Sequence, residues 1–287
     1  MAAKFASRRL VAFTRAAFAF AFLLSPGAAL AVDASASPWT NLTDSKVRLV
    51  SGTAELDGKP TLLAGVQLRM DPGWKTYWKN PGDSGVPPHF NWSQSKNLKR
   101  AEVLYPAPHR FDDGGGTAIG YDDEVLFPVR ITPEREGDPV ELKLTFEYGL
   151  CKDLCIPNQA ELGLSLTAGI GKGDARLIET FLARVPQQAA ADHLPKIDTV
   201  AFKSDGNATE LVVDASFASD ASATDLFIDA GDSLMPVPKP LGPPIGGKQR
   251  FVVSFATPEE AAAIKGKPLS LILVSDRGST ETRWTAE

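Results

Sequence analysis

Cys151 and Cys155 are the 2 cysteines of the chain. They stand in Tyr148-Gly149-Leu150-Cys151-Lys152-Asp153-Leu154-Cys155-Ile156-Pro157. A pair this close supports three chemistries: a structural disulfide, a dithiol–disulfide couple, or a soft-metal site in which two thiolates suit Cu(I). As a clip the pair is weak. A ring this small stabilises by about 2 kcal/mol on the chain-entropy model, against ~3 kcal/mol for a 15-residue loop. A chain of this length builds full cores without that help. A redox couple needs one thiolate to attack and a second thiol to resolve the mixed disulfide. Lys152 favours a thiolate and Asp153 opposes it. A metal site needs a distant third ligand from His89, His109, Met70 or Met235, none at telling spacing. On the residues alone the three readings stay open.

Other chemistries find little support. The 3 histidines, His89, His109 and His193, show no H-E-x-x-H spacing. Gly169-Ile170-Gly171-Lys172-Gly173-Asp174 lacks the Gly-Lys-Ser/Thr end of a phosphate loop and reads as a flexible link. Asp112, Asp113, Asp122, Asp123 and Glu124 miss the EF-hand spacing and read as a solvated loop.

Lys4, Arg8, Arg9 and Arg15 precede an apolar run that ends in Ala29-Leu30-Ala31, the order of a secretory signal peptide. Residues 1–31 are expected to be cleaved, leaving a soluble, exported, periplasmic chain of residues 32–287 with no membrane span. Losing the leader lowers Lys+Arg from 30 to 26 against 35 Asp+Glu, a net charge of −9. With no basic stripe, nucleic acid is excluded as a partner class.

The elements that must position the cysteines read as strands. Leu62, Ala64, Val66, Leu68 and Met70 alternate with Leu63, Gly65, Gln67 and Arg69. Val140, Leu142, Leu144 and Phe146 alternate with polar residues, as do Leu162, Leu164 and Leu166. This period of two marks strands with one buried face. The runs through Phe146 and Leu162 flank the cysteines, so a three-residue hairpin loop sets the two sulfurs opposite one another. Parity turns Cys151 away from the core and predicts an accessible sulfur. Leu177, Ile178, Phe181, Leu182 and Val185 predict a helix over 174–185, stopped by Pro186. The two-residue period resumes at Leu211, Leu226, Phe251 and Leu269, and a rigid proline-rich loop spans 235–244.

A resemblance narrows these alternatives. It runs through Gly73-Trp74-Lys75-Thr76-Tyr77-Trp78-Lys79-Asn80-Pro81-Gly82-Asp83-Ser84-Gly85, Pro87-Pro88, Asn91-Trp92 and Tyr105-Pro106-Ala107-Pro108. It continues through Gly120-Tyr121, Val125-Leu126-Phe127-Pro128-Val129 and the cysteine segment itself. In these motifs residues 39–167 resemble the N-terminal periplasmic domain of the thiol:disulfide interchange protein DsbD family, in its suppressor-of-copper-sensitivity (ScsB-type) variant. The resemblance implies an all-β fold, an immunoglobulin-like antiparallel β-sandwich, here followed by a connector helix and a second, smaller β domain. The expected divisions are 38–168 for the redox domain, 169–195 for a linker with the helix, and 196–287 for the second domain. It also implies that Cys151 and Cys155 cycle between dithiol and disulfide as a protein-disulfide reductase component. Electrons would come from an integral-membrane thiol reductase and go to periplasmic thioredoxin-like proteins. A cap loop over residues 109–119 would shield the pair through Phe111, with Trp74, Tyr77, Tyr121 and Tyr148 packed around it. The competing reading makes Phe111 a core residue at a strand end. No cofactor is expected unless the thiolates hold Cu(I). The three-residue gap is shorter than the better-known DsbD pattern. The family's membrane and thioredoxin-like parts are not in the sequence, so the expected donor is a separate polypeptide.

Overall fold

In the strand Val140–Cys151, Val140, Leu142, Leu144 and Phe146 are buried while Glu141, Lys143 and Glu147 are exposed. That alternation repeats across the chain and builds sheets with one face turned inward. The structure, a computed structural model, describes residue 1 and residues 35–56, 58–167, 174–190, 193–204, 209–231, 233 and 235–286. The expected leader beyond residue 1 and the glycine-rich link 169–173 lie outside the described residues.

Two antiparallel sheets form the first region. One runs in the order β1 (Thr40–Leu42), β2 (Ser45–Leu56), β3 (Lys59–Met70), β9 (Glu124–Pro133) and β6 (Leu98–Val103). The other runs β11 (Cys155–Leu166), β10 (Val140–Cys151), β4 (Lys75–Gly82), β8 (Thr117–Asp122) and β7 (His109–Asp112). The short β5 (His89–Asn91) pairs with β10 beyond the end of β4. Leu49, Val66, Trp78, Phe127 and Phe146 fill the space between the sheets.

One expectation changes here. Leu63 and Gln67, assigned by alternation to an open face of β3, are fully buried. The cause is the helix α1 (Ala175–Leu182), which lies on the outside of the first sheet and buries Ile178 and Phe181. Each such side chain is worth roughly 1.5–3 kcal/mol when fully buried. Gly52 pairs with Leu63, and a Cβ there would come within 3.0 Å of Ile178 Cδ1, so the bare backbone seats the helix. Gln67 is held by polar bonds instead, accepting from Arg48 at 2.7 Å and donating to Glu124. The helix also ends earlier than its apolar spacing predicts, at Leu182.

A second, smaller β region follows. One sheet has the order β12 (Gln187–Gln188), β19 (Gly278–Thr285), β18 (Pro268–Ser275) and β15 (Asp225–Asp229). The other runs β13 (Lys196–Ser204), β14 (Thr209–Ser216), β17 (Lys248–Phe255) and β16 (Lys239–Pro240). Leu211, Val213, Phe251, Leu269 and Leu271 form its core. The helix α2 (Pro258–Ile264) starts at Thr257, whose hydroxyl accepts from the Glu260 N–H. The proline-rich loop is pinned rather than free, since Met235 and Val237 are buried and β16 pairs with β17.

The two regions share apolar contacts. Phe227, Val237 and Ile272 of the second region join the first region's core. Phe227 meets Trp78 edge-on at 6.1 Å, and Lys79 pairs with Asp229 at 2.6 Å. The expected architecture of sandwich, helix and smaller β region is the one observed.

Candidate functional site

The site begins with strand register. Residues Val140 to Cys151 pair with Leu166 to Cys155, and the last rung sets Cys151 opposite Cys155. The two are joined as a disulfide with their Cα atoms 4.1 Å apart. On its other side the end of β10 pairs with β4, Cys151 facing Lys75 and Leu150 facing Thr76. The Thr76 hydroxyl donates to the Gly149 carbonyl at 2.9 Å, fixing β4 to the hairpin. Cys151 thus lies inside the sheet and Cys155 lies at its rim.

Burial follows that placement. Cys151 is 1% exposed, whereas Cys155 is open to solvent. Parity does turn Cys151 away from the main core, but its face is covered. Tyr77, Ala118 and Phe111 pack with Cys151 in a small separate cluster. The accessible sulfur expected at Cys151 is therefore found at Cys155.

The covering residues come from three places in the chain. Tyr77, on β4, sets its hydroxyl 3.3 Å from Cys155 Sγ and donates to Asp113 Oδ2 at 3.0 Å. Burial, with Asp113 beside it, raises the Tyr77 phenol and keeps it protonated. Gly85, at a φ of 99°, lies against the Tyr77 ring, where a Cβ would overlap Tyr77 Cε1. A Cβ on Gly149 would come within 3.2 Å of Tyr77 Cε2 at the ring's other edge, so these motif glycines are spacers for one aromatic. Phe111 sits on β7, its ring 6.0 Å from that of Tyr77 and 5.4 Å below Lys75 Nζ. The expected cap loop is a β-hairpin. Phe111 pairs with Ala118, and the chain turns at 113–116 with Gly114 and Gly116 at positive φ.

Asp113, at the hairpin tip, is the residue that sequence reasoning missed. Its carboxylate accepts from Ser84 at 2.7 Å, the Gly115 N–H at 3.0 Å and Tyr77. Burial raises its pKa, but these donors together outweigh burial and hold the carboxyl below the usual range. Three glycines immediately after an aspartate were the available signal of a turn that folds back on itself.

The remaining named aromatics stand further off. Tyr148 stacks on Phe146 in the main core, hydrogen-bonds Ser45 Oγ at 2.8 Å and lines the groove beside Cys155. Burial pushes its phenol up to about 12 despite the Ser45 bond. Tyr121 is a core residue whose hydroxyl donates to the Pro106 carbonyl at 2.8 Å. Trp74 packs partly buried against the same core. Lys152 reaches the Pro72 carbonyl at 3.2 Å.

An open groove of about 790 Å³ runs beside Cys155, walled by Tyr77, Val86, Pro87, Tyr148, Ile156 and Pro157. Val86 in its wall is 60% exposed, and Leu154, next to Cys155 in the turn between the cysteines, is 71% exposed. This is an apolar landing surface around a reachable sulfur.

A metal fits the donor set less well. Donor atoms of Asp113, Cys151 and Cys155 lie within 4.8 Å of one another. Met70 and Met235, weighed as soft ligands, are core side chains of the two regions. His109 lies 3.6 Å from Asp122, and His89, in the wall of the groove, lies 3.4 Å from Glu147 and outside the cluster of sulfur and carboxylate donors. The third donor near the sulfurs is thus a hard carboxylate, a poor match for Cu(I).

A hairpin disulfide with one covered and one exposed sulfur, at the end of an antiparallel sandwich, makes this a thiol–disulfide exchange module with a Cys-x3-Cys pair. Residues 53–166 match the family model described as "Thiol:disulfide interchange protein DsbD, N-terminal", and this part of the chain belongs to the DsbD N-terminal domain family. The fold is similar to that in the crystal structure of the N-terminal periplasmic domain of ScsB from Proteus mirabilis. The TM-score is 0.68 at 23% identity, over 88% of this chain and 98% of that chain. Such coverage takes in both β regions. No curated protein matches the sequence. Among the described residues no helix is long and apolar enough to cross a membrane.

Proposed function

We propose that the chain is an exported, periplasmic electron relay. Its Cys151–Cys155 pair accepts electrons from a membrane-embedded thiol reductase on a separate chain and passes them to thioredoxin-like proteins. The observation that carries this reading is the asymmetry of the sulfurs, one exposed on an apolar groove and the other covered by Tyr77 and Phe111. A structural clip needs no such groove.

The chemistry follows from the asymmetry. A donor thiolate attacks Cys155 Sγ, the disulfide breaks, and Cys151 leaves as a thiolate that takes a proton. The donor's second thiolate attacks its own sulfur in the mixed disulfide, which releases Cys155 as a thiolate and the donor as a disulfide. In the second half-reaction the Cys155 thiolate attacks the acceptor's disulfide. Cys151 then resolves that mixed disulfide, so the original pair re-forms and the acceptor leaves reduced by two electrons. Tyr77 stays protonated throughout, its hydroxyl donating to Asp113 and lying 3.3 Å from Cys155 Sγ.

The test is the reduction potential of the folded chain, equilibrated in dithiothreitol or glutathione buffers with thiol trapping. A relay cycles reversibly with a potential above about −300 mV, the boundary below which structural disulfides usually lie. A Cys151→Ala variant should accumulate a mixed disulfide through Cys155, and a Cys155→Ala variant should not turn over disulfide substrates. Turnover by Cys155→Ala, or a disulfide reducible only on unfolding, would sink the proposal.

A further inference from the structure

Arg110 and Phe111 are neighbours on β7, so their side chains leave opposite faces of the strand. Phe111 turns to the cysteines, where it packs with Cys151 and Tyr77. Arg110 turns to the second β region. Its Nε and Nη2 donate to the two carboxylate oxygens of Asp225, both at 2.6 Å, and Nη2 also reaches the Leu226 carbonyl at 3.0 Å. Its guanidinium lies 5.4 Å over the Phe227 ring. A forked, charge-assisted contact that also stacks on an aromatic is the strong form of an arginine interaction. Both partners are about four-fifths covered, at 21% side-chain exposure each.

The position of β7 gives this contact its leverage. β7 is the last strand of its sheet and pairs with β8 over four rungs, His109 to Asp112. Its tip turns through glycines and is tied to the first region by Asp113, which accepts from Ser84 and Tyr77, so Arg110 is the tie on the opposite face. Strand β4, on the other side of β8, is held to the same second-region strand, since Asn80 Nδ2 donates to the Ile228 carbonyl at 2.8 Å and Lys79 pairs with Asp229. β15 therefore backs the strands that carry Tyr77 and Phe111, while those two residues face the sulfurs.

We infer that the second β region acts as a latch on the shield, with Arg110 and Asp225 as positioning residues that set how readily β7 carries Phe111 away from Cys151. The inference rests on the exchange reading above and gives the second region a task in it. It controls access to the pair, and the sulfur chemistry itself stays in the first region. A partner that competes for Arg110 or displaces β15 would open the site, so docking on the second region and exchange at the cysteines are coupled.

The experiment uses the whole mature chain, oxidised. It compares Arg110→Gln, Asp225→Asn and the charge swap Arg110→Asp/Asp225→Arg with wild type. Three quantities are read: the bimolecular rate of reduction by dithiothreitol, amide exchange across 109–119, and the equilibrium reduction potential. The latch predicts faster reduction and faster amide exchange in both single variants, by about three- to tenfold for a well-formed ion pair. It predicts partial return toward wild type in the swap, and an unchanged potential throughout, because access changes and the sulfurs do not. Arg250→Gln, which breaks the Arg250–Asp214 pair within the second region, is the control and should leave all three values alone. Rates and exchange within twofold of wild type in both single variants, no recovery in the swap, or equal acceleration in Arg250→Gln would overturn the latch. Should the wild-type disulfide resist native-state reduction, the relay reading fails, while amide exchange at 109–112 still decides whether Arg110 and Asp225 hold the hairpin.

Discussion

Asp113 places a negative charge within 4.8 Å of both sulfurs, and an incoming thiolate must approach against it. At that distance two like charges repel by about 1 kcal/mol in water and more in partly protein surroundings. Asp113→Asn should therefore speed reduction by dithiothreitol at least ~3-fold at low salt. The gain should shrink above ~0.5 M salt, where the Debye length falls to a few ångströms. A salt-independent rate difference would mean the substitution had loosened the hairpin instead. The same residue makes a pH prediction. Its folded pKa is depressed, so its contribution to stability is present above the ordinary carboxylate value near 4 and is lost as pH falls through the folded value. Urea titrations from pH 6 to 2 should show a shallower acid loss in Asp113→Asn than in wild type. At this scale the sequence was legible where chemistry is local. Two cysteines across a short turn must meet, and the register sets them opposite each other. Asp113 was illegible because its role comes from a turn that carries it to Ser84 and Tyr77, far away in sequence, whereas its neighbours read as a solvated acidic loop.

The cap hairpin is where element and function meet, and it separates the two readings of Phe111. As a core residue, Phe111 would cost about 3–5 kcal/mol when cut to alanine, and the reduction rate would not move. As a shield it is half-buried in a cluster apart from the main core. Phe111→Ala should then cost nearer 1 kcal/mol while reduction accelerates several-fold. Paired denaturation and dithiothreitol kinetics on one variant decide between them. The hairpin's fit depends on a backbone contact as well. Gly120 on β8 lies so close to the Thr76 carbonyl that any Cβ would overlap it, which accounts for the Gly120-Tyr121 motif in packing terms. Elements with a clean period of two, such as β10 and β11, were readable because one face meets the core and the other meets water. β3 was half-read, because a helix more than a hundred residues later in the chain covers its second face. The strand β4 showed no alternation, since Tyr77 and Trp78 are both buried in different clusters.

Across the whole molecule, the chain from residue 35 onward is one compact unit even though its apolar residues fall into two main clusters. Sequence periodicity read as two domains with separate cores, because a pattern of twos reports which face is buried and says nothing about what buries it. The interface supplies that answer: Phe227, 1% exposed, belongs to a second-region strand yet packs into the first region's cluster against Trp78. Around it stand the Arg110–Asp225 and Lys79–Asp229 ion pairs and the Asn80 bond to the Ile228 carbonyl. A surface of this kind couples unfolding, since separating the regions would strand charges that face one another and expose an aromatic pair. The wild-type chain should therefore melt in a single calorimetric transition whose calorimetric and van't Hoff enthalpies agree. Phe227→Ala removes the apolar centre of the contact and should cost about 3 kcal/mol. The loss falls on the coupling between the regions, because the hydrogen-bonded sheets of each remain intact. The expected trace is thus two resolved transitions in place of one, with the cysteine-bearing hairpin reduced faster by dithiothreitol even below the first of them. A single, merely lowered transition in Phe227→Ala would show that the regions stay coupled through other contacts and that Phe227 is an ordinary core residue.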